Sequence, residues 1–416
     1  MNRRRLFVTS CLSIATASVA FAIRGDIAGQ MTDAFHLTNE QMGVIFSPAF
    51  WAFTVAIVIS GTLVDVIGMR ILHAGSAVSY LGGVALILFA PRPDAPIPSV
   101  FGHAGTAMLY GGFFLFGFSH GLIEGVINPL IASLYPKEKT RYITTVHAYW
   151  PAGLIAGGLV ALGMAHLQVG WELRLSVIVV PAAIYLVMSV STAYPPTERV
   201  EMRVSTGEMW KEACRPLFLL FFGCMWLSAA VELGPDQWFP SVMGALVPQL
   251  SPDAGSGVVF LVYTAGLMFV LRFWGASLTH RAPIATLIIS SGLVAVGLYW
   301  LGGLGPETGA VVALTAATVF GVGKAFLWPT MLGVTAELFP RGGALLLALI
   351  GAAGMAAASL AVLLMGARAD ALGPGATLQT MAVLGLVLVA VFGAIGLYFE
   401  AKGGYRAVRA RADGGH

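Results

Sequence analysis

Stretches of about 18 or more predominantly apolar residues recur from one end of this chain to the other, each long enough to cross a ~30 Å hydrocarbon core as a helix. "LFVTSCLSIATASVAFAI" (6–23) and "MAVLGLVLVAVFGAIGLYF" (381–399) are two of them. No other feature restricts the fold so strongly. A backbone in lipid must satisfy its own hydrogen bonds, so only helices and closed barrels span a bilayer. A barrel would show short alternating strands instead. With 57% hydrophobic residues, 10% charged residues and a mean hydropathy of +0.84, the chain also lacks the charge to cover a soluble surface of 416 residues. The expected fold class is an all-α polytopic membrane protein.

Twelve spans are expected, near 6–30, 42–64, 72–90, 105–134, 142–166, 173–194, 216–244, 257–277, 284–301, 309–337, 344–367 and 376–399. The start of the chain, with Arg3, Arg4 and Arg5 before an apolar stretch and Ala20-x-Ala22, imitates a secretory signal. It is read as the first span, because its removal would unbalance the halves. The longest polar connection, "YPPTERVEMRVSTGEMWKEACRP" (194–216), splits the chain six plus six. The expected organisation is therefore a bundle over 1–194, a cytoplasmic linker over 195–214 that forms a short surface helix, and a second bundle over 215–416. Lys and Arg gather on one side of the expected membrane. Counting short loops and ends, 17 lie on the side of the N-terminus, and only Arg92, Arg174 and Arg368 lie opposite. That asymmetry predicts both termini in the cytoplasm.

The halves repeat one another. "GLIEGVINP" (121–129) matches "GVGKAFLWP" (321–329): Gly121, Glu124 and Pro129 correspond to Gly321, Lys324 and Pro329, with the charge reversed. A weaker match joins "GTLVDVIGMR" (61–70) to "GASLTHRAP" (275–283). Parallel repeats of this kind imply two six-helix bundles related by an axis along the membrane normal. Ionisable residues well inside spans are Arg24 and Asp26 in span 1, Glu124 in span 4, Glu232 and Asp236 in span 7, and Lys324 in span 10. Six such charges facing lipid would cost roughly 15–20 kcal/mol, so they are expected to face a watery chamber shared by spans 1, 4, 7 and 10, or to pair. Buried ion pairs holding helices together are the structural alternative. Four carboxylates against two cations leave a surplus, and a buried carboxyl lacking a full partner is suited to taking up and releasing a proton.

Other candidates lie beside these charges. Pro129 and Pro329 permit kinks, and Asn128 and Trp328 precede them. Span 7 mixes Glu232, Asp236, Gln237 and Trp238, a combination in which a ring covers the C–H face of a sugar and polar groups take its hydroxyls. An interfacial tryptophan belt is the alternative there. "HAYWPAG" (147–153) offers His147, Tyr149 and Trp150. No Gly-rich phosphate loop ending in Lys-Ser/Thr is present, and no His/Glu metal cluster, so neither an enzyme, a cofactor nor a metal is expected. Cys11, Cys214 and Cys224 form no motif. A net charge of +3 does not argue for nucleic acid. The partners expected are the lipid bilayer and a small molecule, with the protein a monomer.

The six-plus-six plan resembles the major facilitator superfamily over nearly the whole chain. "GTLVDVIGMR" is similar to that superfamily's loop signature, with Gly61, Asp65, Gly68 and Arg70 in place. The resemblance implies a conformational latch, in which Asp65 accepts hydrogen bonds at a neighbouring helix and Arg70 ties the loop to it. Within the superfamily, "GDIAGQMTDAFHLTNEQMG" (25–43) and "LIEGVINPLIASLYP" (122–136) resemble the fucose/proton symporter branch. That likeness implies proton-coupled symport of a sugar or sugar derivative by alternating access in a bacterial cytoplasmic membrane. Asp26 and Glu124 would then carry the coupling protons. Arg24, His147 and Trp150 stand where the branch commonly has amides, and Lys324 is foreign to it. Two other cargoes stay open in the same fold: an organic anion or sugar acid held by Arg24 and Lys324, and a drug or metabolite for export. A non-transporting sensor on this fold is the rival from another class.

Overall fold

The computed structural model describes residues 2–246 and 256–408. It is built from helices, in the order α1 (Arg3–Ala34), α2 (Asn39–Phe46), α3 (Pro48–Ile67), α4 (Met69–Leu88), α5 (Ala104–Leu134), α6 (Lys139–His147), α7 (Tyr149–His166), α8 (Trp171–Ser176), α9 (Val179–Val190), α10 (Glu198–Glu201), α11 (Thr206–Ala213), α12 (Pro216–Leu246), α13 (Ser256–Arg281), α14 (Pro283–Gly302), α15 (Ala310–Lys324), α16 (Leu327–Leu338), α17 (Gly343–Leu372) and α18 (Pro374–Ala401). Eleven stretches of the described residues are long and apolar enough to cross a membrane. The eighth span expected from the sequence coincides with the 26-residue α13.

Local chemistry sets the ends. Thr38 caps α2 with the Gln41 side chain returning the bond, and Ser205 and Glu208 do the same for α11. Pro48, Pro283 and Pro374 open α3, α14 and α18, where a missing N–H costs nothing. Gly68 stands between α3 and α4 at φ +92°, a conformation that side chains resist, which explains a glycine at that point of the loop signature. The hydroxyls of α1 turn inward onto their own helix: Thr9 donates to the Arg5 carbonyl at 2.8 Å and Ser10 to that of Leu6 at 3.0 Å. A Ser/Thr-rich span thereby leaves no hydroxyl to meet lipid.

The helices form two compact units. One contains α1–α5 and α7–α10, and the other contains α6 and α11–α18. In the first, Ile23, Ile27, Phe35, Tyr80, Phe113, Ile123 and Tyr185 are fully or almost fully buried in one core. Its α5 is among the least apolar of the spans and the most buried. The second unit's α18 is the most apolar span and the least buried. Lipid-facing helices need apolar surface all round, whereas a helix enclosed by protein can carry polar groups. The linker holds two short helices, α10 and α11, rather than one.

Candidate functional site

In the first unit, α5 owes its position to small residues. A Cβ on Gly121 would lie 2.4 Å from the Phe53 carbonyl, and one on Gly125 would strike the Ser60 hydroxyl, so α3 packs directly on the α5 backbone. One turn along, Glu124 is buried at 4% exposure, and Asn128 at 1%. The Asn128 amide donates to Glu124 Oε2 at 2.8 Å and to the Glu124 carbonyl at 2.9 Å. Despite Pro129, α5 runs unbroken to Leu134.

Arg24 lies on α1 in the same unit and is 9% exposed. Its guanidinium is set among rings, 4.7 Å from the centroid of Phe21, 5.0 Å from Phe50 and 5.5 Å from Phe46. Trp150 stacks on His120 with centroids 4.9 Å apart and planes at 13°, and it sits 6.0 Å from Phe21. Tyr149 also packs against this unit's core. Asp26 points elsewhere: its carboxylate accepts from Arg174 Nη1 at 2.9 Å, and Arg174 Nε donates to the Val169 carbonyl.

The second unit holds a denser network around a broken span. Span 10 is two helices, α15 and α16, that part at Ala325 and Phe326. Pro329 has no N–H for the Ala325 carbonyl, and Pro151, in the first turn of α7, has none for that of His147. Arg272 on α13 supplies both, donating Nε to the Ala325 carbonyl at 2.5 Å and Nη1 to that of His147 at 3.2 Å. Its Nη2 reaches Glu232 Oε1 at 2.8 Å. The other oxygen of Glu232 accepts the backbone N–H of Trp328 at 3.2 Å, in the first turn of α16. Positive charge thus meets the carbonyl end of α15 and negative charge the amide end of α16, the favourable sense for each helix dipole. Lys324 donates to Asp236 at 2.5 Å and to Thr264 at 3.1 Å. The Trp328 ring is buried against Gly354.

Several expectations change. Charges are not confined to spans 1, 4, 7 and 10: Arg272 lies inside span 8, buried at 2% exposure. The expected surplus of carboxylates shrinks as well, since Arg174 pairs with Asp26 and Arg272 with Glu232, two cations outside the sequence count. The candidates of "HAYWPAG" divide, with His147 in the second unit and Tyr149 and Trp150 in the first. The side chains of Gln237 and Trp238 lie outside the described residues. At the loop signature, Gly61 is buried and Asp65 is engaged, but by Arg199 at 2.5 Å and by the Thr197 hydroxyl, while Arg70 is exposed. Arg272 falls within the expected eighth span as a lone charge in an apolar run, which makes the residue, though not its partners, legible in the sequence. Among the described residues, no group of His, Cys, Asp and Glu is placed to hold a metal.

Three comparisons bear on this arrangement. The family description "Major Facilitator Superfamily" matches residues 5–319. A gentisate transporter of Corynebacterium glutamicum is 24% identical over 344 residues, which are 78% of this chain and 72% of that protein. The transporter FucP, solved in its outward conformation, superposes with a TM-score of 0.74 at 17% identity, over 94% of this chain and 98% of its own. The proton:xylose symporter XylE gives 0.74 at 14% identity, over 94% and 95%.

Proposed function

The chain belongs to the major facilitator superfamily and is a membrane transporter, and from that premise we propose that it is a secondary carrier coupling uptake of a small organic solute to protons. Glu124 on α5 is the proposed coupling group, together with Asp26 on α1, whose carboxylate is held by Arg174. The observation that carries this reading is the bond from the Asn128 amide to the buried Glu124 carboxyl. An amide N–H is satisfied by a carboxylate oxygen or by the carbonyl oxygen of the protonated acid, so a proton can arrive and leave without stranding a donor. Both sugar symporters named FucP and XylE are described as proton-coupled, which is consistent with it.

Of the three cargo classes left open by the sequence, an organic anion is the best supported. Arg24 is a buried cation with no carboxylate at ion-pair distance among the described residues. The gentisate carrier, whose cargo is an organic acid, points the same way. A neutral sugar is the second reading, favoured by the Trp150–His120 stack, whose flat face would cover a pyranose ring. The proposed setting is a bacterial cytoplasmic membrane with the protein a monomer, and the Lys/Arg distribution supports both ends inside.

Purified protein in proteoliposomes under an imposed pH gradient tests the coupling. The Glu124→Gln variant is expected to lose gradient-driven accumulation while retaining solute exchange. Full accumulation by that variant would remove Glu124 from the coupling role.

A further inference from the structure

We infer that Arg24 and the rings around it form a binding site for the carboxylate of a planar aromatic or conjugated monocarboxylic acid, built entirely within the first unit. The inference rests on the carrier reading above and adds the chemical class of the anion and the group that receives it.

A guanidinium has a charge to be compensated and five N–H donors in one plane to be bonded. Phe21, Phe46 and Phe50 at 4.7, 5.5 and 5.0 Å address the charge through their faces. Ring faces are weak acceptors at best, and among the described residues the Arg24 guanidinium makes no hydrogen bond and no ion pair. An arginine this buried is ordinarily matched by a carboxylate. Here the acids of the same unit are turned aside: Asp26, two positions on, accepts from Arg174, and Glu124 on α5 accepts from Asn128. The fold therefore holds a desolvated cation whose in-plane edge is the complement of a carboxylate, two parallel N–H···O bonds and one opposite charge.

The surrounding walls set the rest of the ligand. Phe21, Phe46, Phe50, Trp150 and His120 are flat, and each is partly rather than fully buried. Flat walls reward a flat body by offset stacking and edge contacts. A neutral sugar would leave the Arg24 charge uncompensated. A dicarboxylate would need a second cation, and Arg174, also buried in this unit, is already bonded to Asp26 and to the Val169 carbonyl. One carboxylate on a conjugated ring meets all of these conditions.

Binding is measured on the full-length protein in detergent by calorimetry and thermal shift, with benzoate and 4-hydroxybenzoate as probes. Benzamide, benzyl alcohol and neutral hexoses serve as uncharged comparisons. Benzoate is expected to bind and to raise the melting temperature, and benzamide is not. Arg24→Lys, which keeps the charge but loses the fork, is expected to weaken benzoate by about tenfold or more, and Arg24→Gln to abolish binding. Should Arg24→Gln fail to fold, Arg24→Lys and Phe50→Leu decide, each expected to weaken benzoate with the unliganded melting profile kept. Equal binding of benzamide, or unchanged benzoate affinity in the folded Arg24 variants, overturns the inference. The carrier reading fails separately: benzoate binding without flux in proteoliposomes supports the site and removes the carrier, whereas flux of a neutral solute without benzoate binding removes the site and keeps the carrier.

Discussion

Arg272 shows how much one side chain can decide inside a bilayer. Two prolines far apart in the chain each leave a backbone carbonyl without its helical donor, and one guanidinium serves both while pairing with Glu232. A lysine has the charge but not the planar fork, so the site specifies arginine. Removing one member of a buried pair costs about 3–5 kcal/mol, and losing Arg272 would also strand two carbonyls. Arg272→Gln is therefore expected to lower the melting temperature in detergent by more than Glu232→Gln does; the reverse order would show that the carbonyl contacts contribute little. A second buried acid, Glu337 at the end of α16, is handled differently. It accepts from the Thr140 hydroxyl at 2.5 Å and from Tyr405 beyond α18 at 2.7 Å. Burial and the Glu337 carboxylate push the Tyr405 phenol well above its ordinary range, so it remains a donor. The prolines and the lone charge of span 8 are legible in the sequence. Which carbonyls the arginine reaches is not, because those partners lie 53 and 125 residues away.

At the scale of elements, the matched stretches of spans 4 and 10 fold differently. The first stays one helix through Pro129, with the Asn128 amide returned to the Glu124 carbonyl. The second breaks, and charged side chains from α12 and α13 occupy the two new ends. A sequence repeat thus preserves the proline and the charge without preserving the helix, since the outcome depends on which neighbours can cap the break. The glycines of α5 are the opposite case, legible from spacing alone. Gly121→Ala would put a methyl 2.4 Å from a backbone oxygen and 2.7 Å from the Ala56 methyl, and is expected to cost about 1–3 kcal/mol. Gly158→Ala on α7, with nothing within 4 Å, is expected to be neutral or stabilising by about 0.5–1 kcal/mol. Melting both variants in one detergent compares them, and a tolerated Gly121→Ala would mean that α3 and α5 can separate.

At the scale of the molecule, membrane orientation has a direct chemical readout. Of the three cysteines, Cys214 is exposed, whereas Cys11 and Cys224 are buried. Cys214 ends α11 in the linker, on the side the Lys/Arg asymmetry assigns to the cytoplasm. A membrane-impermeant maleimide is expected to label the native protein in inside-out vesicles and not in intact cells. Labelling of intact cells would invert the assigned topology. The two units also differ in how they hold charge. The first keeps Arg24 among rings and Glu124 with an amide, and the second ties Glu232, Arg272, Asp236 and Lys324 into pairs. The proposed site uses this difference, since the Arg24 charge faces rings whereas the charges of the second unit face one another.

The amino-acid sequence alone determined that this chain is helical and membrane-spanning, and where nearly every span falls. Each of these follows from the cost of polar groups in hydrocarbon, which is levied residue by residue and so is written locally. It also marked Arg24, Asp26, Glu124, Glu232, Asp236 and Lys324 as ionisable groups lying well inside spans, for the same reason. Only the tertiary structure decided who meets whom: Asp26 with Arg174 across 148 positions, Asp236 with Lys324 across 88, and Glu232 with Arg272 across 40. Pairing depends on the rotation of each helix about its axis and on which small residues let two backbones approach, and a one-dimensional pattern records neither.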